Sequence, residues 1–248
     1  MTLLDKTNTL VIVPAYNEQD SIVSVIEEIK ATGFSFVVID DGSTDDTRNR
    51  AIAAGARTIS LPFNAGVGGS LKCGFQHAVK HGYRAVIQCD ADGQHPTQEF
   101  ESLVNHANIH LSHLVIGSRF TNDKESMHVS KTRKFAMRML SRVAKRMNQV
   151  EVTDTTSGFR LISQPLLGQF AQRFPGYYLG DTFEALNVAA SNDYFVTQIS
   201  VPFSNRTQGT SSASNAYAIS NIAKILCVQM MGLHFNIEKH NESVKNSD

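Results

Sequence analysis

The feature that most constrains this chain is a repeated alternation. Short apolar runs rich in β-branched residues give way to polar turns and then to stretches of helical period. Residues 9–13, 36–39, 58–61, 85–89 and 114–117 read as strands. Between them, Ile22, Val25, Ile26 and Ile29 recur at helical spacing, with Asn17 or Asp20 placed to cap that helix. Further helices are predicted over 47–54, 70–81 and 99–106. Strands alternating with helices of about 10–15 residues imply βαβ units, and so an α/β domain around a mostly parallel central sheet flanked by helices. In such sheets ligands bind beyond the carboxyl ends of the strands. Asn17 and Glu18, Asp40 and Asp41, and Asp90 and Asp92 all fall at those ends, which puts three polar clusters on one rim.

The sharpest of the three is V-I-Q-C-D-A-D-G-Q-H-P at 86–96. Asp90 and Asp92, with the Gln94 amide two residues on, can present hard oxygens to one divalent cation. Mg²⁺ suits such a site, because it takes few carboxylates and keeps waters and phosphate oxygens. The competing reading is an acidic turn, since Asp, Gly and Pro are common turn residues. Asp40 and Asp41 suit hydrogen bonding to a nucleoside base or ribose. They equally suit a loop that caps the next helix through Ser43, Thr44 or Asp45. Residues 64–74 are glycine-rich at a helix start, where free backbone N–H groups favour anions. Leu71 stands where the dinucleotide fingerprint needs its third glycine, and no Gly-Lys-Ser/Thr follows, so a dinucleotide or ATP loop loses its support.

Bulk properties narrow the field. The chain has 248 residues, enough for a full core, and a formal net charge of zero, which favours neither nucleic acid nor acidic partners. Cys73, Cys89 and Cys227 are few and scattered, which points to a reduced, cytoplasmic protein. There is no charged-then-apolar leader and no apolar run of about 18 residues, so neither a signal peptide nor a spanning helix is expected. The polar stretch 238–248 is expected to be disordered.

Four motifs then come together in order and spacing: P-A-Y-N-E at 14–18, D-D-G-S-T-D-D-T at 40–47, the glycine-rich 64–74, and D-A-D-G-Q-H-P at 90–96. In this the chain resembles family 2 glycosyltransferases, which have the Rossmann-like GT-A fold and use nucleotide-diphosphate sugars. The resemblance implies a single GT-A domain over 1–237, with a nucleotide-sugar half to about residue 120 and an acceptor half from 121. It implies that Pro14, Tyr16, Glu18 and Asp41 contact the nucleoside, that Asp90, Asp92 and Gln94 hold Mg²⁺ or Mn²⁺ on the diphosphate, and that the anomeric configuration inverts. Further on, D-T-T-S-G-F-R at 154–160, and Val201, Pro202, Phe203, Arg206, Gly209 and Ser211 or Ser212, resemble elements of the dolichyl-phosphate mannose synthase branch. That branch implies a polyprenyl phosphate acceptor, with Arg119 and Arg133 on the acceptor phosphate and Arg206 on the donor. Guanidinium forks suit those oxygens.

A phosphate acceptor is already an anion and needs little general-base help, whereas an alcohol would need it. Asp181 and Glu184 are the candidate bases; their spacing also suits one face of a helix, with Asp181 as an N-terminal cap. Between Arg119 and Arg146 nine residues are Lys or Arg, and 131–147 reads as a basic amphipathic helix. Such a helix can lie on an anionic membrane or pack on the core. An apolar stretch from Ile219 to Phe235 is open between core, a homo-oligomer surface and an interfacial anchor. Any membrane contact is expected to be peripheral, at the cytoplasmic face. The basic stretch lacks the interleaved aromatics of a single-strand binder, so no nucleic acid partner is expected. His106, His110 and His113 fall at helical intervals without a second shell and are set aside as a zinc site. Two other functions remain beside transfer to a polyprenyl phosphate. One is transfer to a saccharide hydroxyl in surface polysaccharide synthesis; the other is a silent nucleotide-sugar-binding scaffold.

Overall fold

The structure, a computed structural model, describes residues 3–119, 152–154, 157–174 and 181–203. Its centre is β1, Thr9–Ala15, buried at every position. Parallel neighbours flank it, β2 (Ser35–Asp40) on one side and β4 (Ala85–Gln88) on the other, and β3 (Thr58–Ser60) extends the sheet beyond β2. Alternate residues of β1 feed two different cores, as a period of two requires. Val11 and Val13 face α1 (Ile22–Thr32) and α4 (Phe100–His110), whereas Leu10 and Ile12 face α3 (Gly66–Lys80). Burying both faces is what makes these strands continuous apolar runs, as expected for a parallel sheet. Each fully buried Val, Leu or Ile side chain contributes about 1.5–3 kcal/mol.

Helix α1 buries Ile22, Val25, Ile26 and Ile29, the four residues whose spacing predicts it. Helix α2 covers Thr47–Ala53. Helix α3 starts at Gly66, one turn before the predicted 70. It packs so tightly that a Cβ at Gly74 would sit 2.5 Å from Ile12 Cγ2. The helix predicted over 99–106 begins with a 3₁₀ turn at Thr97–Glu99 and runs on as α4 to His110, until Leu111 turns left-handed at φ 51°. The cap of α1 also differs from expectation. Ser21 occupies the cap position without a side-chain cap bond. Asn17 takes a left-handed conformation, φ 54°, and its Oδ1 accepts from Thr44 N at 2.9 Å. Asn tolerates that conformation, and its amide is committed to the neighbouring loop.

Strand β5 (Leu114–Ser118) does not pair with β4. Between them lies β6 (Arg160–Ser163), antiparallel to both, and β7 (Val196–Ser200) pairs parallel to β5. The sheet order is β3-β2-β1-β4-β6-β5-β7. Helix α5 (Leu166–Arg173) packs against α3 through Phe75 and Phe170, ring centroids 5.9 Å apart. Helix α6 covers Asp181–Ser191. The mostly parallel α/β sheet of the expectation is present, and β6 carries the chain's second half into its middle. The basic segment 131–147, the apolar stretch at 219–235 and the tail 238–248 lie outside the described residues. Among the described residues no helix is long and apolar enough to cross a membrane.

Candidate active site

Because β1, β2 and β4 run parallel, their carboxyl ends form one rim, and the three polar clusters gather there. Pro14 is buried within β1 and paired with Ile39. The last β1–β4 pair is Ile12 with Gln88, so the N–H that proline lacks would have pointed past the end of β4. Tyr16 stands exposed at the rim. Glu18 N donates to Thr47 Oγ1 at 2.8 Å, and its Oε2 accepts from Ser21 Oγ at 2.9 Å. The first bond ties the 14–18 motif to the start of α2, and the second ties it to the start of α1.

That loop uses its acids in two ways. Asp40 Oδ1 accepts from Ser43 N at 3.1 Å, and Asp45 Oδ1 accepts from Thr47 N at 3.0 Å at the start of α2. Asp41, buried beside Asp40, reaches the glycine-rich segment instead, and its Oδ1 accepts from Ala65 N at 2.8 Å. Burial pushes the Asp41 carboxyl above its ordinary value, outweighing the opposing hydrogen bond from Ala65 N.

A carboxyl raised in this way is penalised when it ionises in the folded state. Folding stability is therefore expected to fall as pH rises from the ordinary value of 3.8 through the raised one. Asp41→Asn keeps an acceptor for Ala65 N and removes the ionisation. The variant should match the wild type near pH 3 and gain on it toward neutrality. Thermal melts across that range check this, and a wild type that gains on the variant instead would reverse the sign.

Asp90 and Asp92 follow β4, both partly exposed. Asp90 N donates to His95 Nδ1 at 2.9 Å, so the His95 ring proton sits on Nε2, which lies 3.5 Å from Asp90 Oδ2. His95 is buried and packed against Phe159 and Phe203, at 5.2 and 5.4 Å between ring centroids. Gln88 Nε2 donates to Asp90 Oδ1 at 3.3 Å. Asp92 Oδ1 accepts from Gln94 N at 3.0 Å.

The second half closes on this cluster. Continuing the β4–β6 register beyond Gln88 and Arg160 brings Gly158 opposite Asp90. A Cβ on Gly158 would lie 3.1 Å from Asp90 Oδ2 and 3.2 Å from Gln88 Nε2. Arg119, at the end of β5, is joined to fully buried Asp154. Its Nε and Nη2 donate to the two carboxylate oxygens at 2.8 Å each, and its backbone N adds a bond of 3.1 Å. Burial pulls the guanidinium down, but the Asp154 bonds and charge, with Asp90 nearby, outweigh it and hold Arg119 above its ordinary value. A phosphate reaching Arg119 meets a guanidinium whose Nε–Nη2 edge is already engaged, which adds a structural role to the one the resemblance implies.

The donor set fits a hard divalent cation. Asp90 is steadied by a neutral amide and an imidazole, and among the described residues no Lys or Arg pairs with Asp90 or Asp92. Nor do three or more His, Cys, Asp or Glu side chains converge anywhere among those residues. Two carboxylates, with water and phosphate completing the shell, is a magnesium- or manganese-type arrangement. Asp181 and Glu184 lie on α6, one turn apart, their side chains outside the described residues. Arg133 and Arg206 also lie outside them.

Four residues of the site carry no role in the sequence reading: Gln88, His95 and Gly158 at Asp90, and Asp154 at Arg119. His95, Asp154 and Gly158 stand inside quoted motifs. Gln88 had a signal of its own, as the one amide in the apolar run at 85–89.

Residues 10–170 match Glycosyl transferase family 2. The chain belongs to that family. The match spans the rim, Asp90 and Asp92, Arg119, and the 154–160 motif. Among its relatives is the UDP-N-acetylglucosamine–dolichyl-phosphate N-acetylglucosaminyltransferase of Methanococcus voltae, 26% identical and covering 77% of this chain and 83% of that one. Another is the polyprenol monophosphomannose synthase of Mycolicibacterium smegmatis, 25% identical over 87% of this chain and 84% of that protein. The structure of glucosyl-3-phosphoglycerate synthase from Mycobacterium tuberculosis, solved with Mn²⁺, UDP and phosphoglyceric acid, superposes with a TM-score of 0.67. It is 24% identical and covers 89% of this chain and 78% of that one. The fold of this family 2 glycosyltransferase is accordingly GT-A, a single α/β domain.

Proposed function

We propose that this glycosyltransferase is an inverting, metal-dependent enzyme that moves one sugar from a nucleoside-diphosphate sugar onto the phosphate of a polyprenyl phosphate. The observation that carries the reading is the approach of Gly158 to Asp90. It sets the 154–160 motif, which resembles the polyprenyl-phosphate branch, directly against the carboxylate assigned to the donor. Two relatives named for dolichyl phosphate and polyprenol acceptors support the same choice.

In this reading Pro14 shapes the strand end beneath the nucleoside, while Tyr16, Glu18 and Asp41 line its site. Asp90 and Asp92, with Gln94, would hold Mg²⁺ or Mn²⁺, which when bound supplies Lewis-acid stabilisation of the departing diphosphate. Arg206 serves the donor diphosphate; Arg133, with Arg119, serves the acceptor phosphate. An acceptor oxygen attacks the anomeric carbon, and the bond from that carbon to the diphosphate breaks on the opposite side, which inverts the centre. The acceptor oxygen already carries charge, so Asp181 and Glu184 have no proton to remove. The enzyme would work as a peripheral protein at the cytoplasmic face of a membrane, where its acceptor's phosphate lies.

The test is a matrix of UDP-, GDP- and dTDP-sugars against undecaprenyl phosphate, dolichyl phosphate and free saccharides, in Mn²⁺ and Mg²⁺. Transfer to a polyprenyl phosphate by one donor class is expected. Glycosylation of free saccharides with the lipids ignored would move the acceptor to a sugar hydroxyl, and no transfer or donor hydrolysis in any cell would leave a binding scaffold.

A further inference from the structure

Gln88 does not fit the strand that contains it. It ends β4, is 2% exposed, and follows Val86 and Ile87 in an apolar run. Its Nε2 donates to Asp90 Oδ1, and its Oε1 is buried with no hydrogen-bond partner. The amide orientation follows from its neighbour, since only the NH₂ group can face a carboxylate favourably. A buried acceptor left without a partner costs free energy, and an apolar side chain of similar shape would avoid that cost. Two further features point the same way. Gly158 leaves room over the Asp90 carboxylate and the Gln88 amide where a Cβ would crowd both, and His95 holds Asp90 from its other side.

We propose that Gln88 is a positioning residue for the cation site, retained against stability because its amide fixes the Asp90 carboxylate in the orientation that receives the metal. This rests on the reading of Asp90 as a cation ligand. Partners that orient a metal-binding group change affinity by about 10–100-fold when removed.

The test compares wild type, Gln88→Leu, Gln88→Met and Asp90→Asn. Mn²⁺ binding is measured without nucleotide by electron paramagnetic resonance and again with UDP or GDP present, alongside thermal melts. Gln88→Leu and Gln88→Met are expected to melt at or above the wild-type temperature while binding Mn²⁺ about 10–100-fold more weakly. Wild-type Mn²⁺ affinity in both Gln88 variants, with Asp90→Asn impaired, would overturn the positioning role and leave the cation site standing. Wild-type affinity in Asp90→Asn would remove the cation site itself. Loss of folding in both Gln88 variants would also overturn the proposal, because the amide would then be serving the fold.

Discussion

Arg119→Met is expected to destabilise the fold by about 3–5 kcal/mol, because it breaks a buried ion pair by taking the guanidinium away from the Asp154 carboxylate. Asp154 is fully buried, and all three bonds it accepts from Arg119 lie between 2.8 and 3.1 Å. Two of them vanish with the guanidinium, which leaves the fully buried carboxylate with less to offset its desolvation. For a domain of this size the loss corresponds to a fall in Tm of roughly 6–20 °C. Asp154→Leu in the Arg119→Met background should recover most of it, since replacing a whole buried pair by apolar groups is often near neutral. Differential scanning calorimetry of the single and double variants decides the matter. A single variant within about 2 °C of wild type would mean the pair contributes little to the stability of the fold.

That pair also marks where the sequence stops being legible. Strands β1, β2, β4 and β5 could be read because their apolar runs are largely buried on both faces, whereas β3, T-I-S, is half-buried throughout. The rim could be read because parallel strands put their polar ends together. The place of β6 could not. Arg160-Leu161-Ile162-Ser163 is short, begins with a buried arginine and ends with a buried serine, and its antiparallel insertion between β4 and β5 depends on long-range pairing that no local period encodes. β7 is a half-exposed edge, V-T-Q-I-S, with too little apolar contrast to stand out. The same division holds in the site. Asp90 and Asp92 announce themselves by residue type and spacing. His95 and Gly158 matter only because the turn after β4 and the β4–β6 register bring them onto Asp90, while Gln88 meets it through the strand's period of two. Asp41 is a mixed case: its position at the rim was legible, but its hold on Ala65 N came from the approach of a loop 24 residues away.

Asp92→Asn should lower turnover by at least about a hundredfold at saturating donor while leaving Tm within about 2 °C of wild type. The contrast with Arg119 follows from what each side chain does for the fold. The Asp92 carboxylate is partly exposed, and the bond it makes within the protein, from Gln94 N to Oδ1, is one that the asparagine amide oxygen can accept equally well. The turn at Gly93 therefore survives, and what disappears is the negative charge and one hard oxygen. If that oxygen shares a divalent cation with Asp90, the damage must be metal-specific. Nucleotide affinity in Mn²⁺ should drop toward the value measured in chelator, and the Mn²⁺ concentration giving half-maximal turnover should rise. On the proposed donor-side role of Asp92, a polyprenyl phosphate or saccharide acceptor should make no difference to the size of the defect. Turnover that stays at the wild-type level through a full Mn²⁺ titration would remove Asp92 from the cation site. Asp90 would then remain as its one described carboxylate, too little charge to hold a nucleoside diphosphate and a cation together at the end of β4.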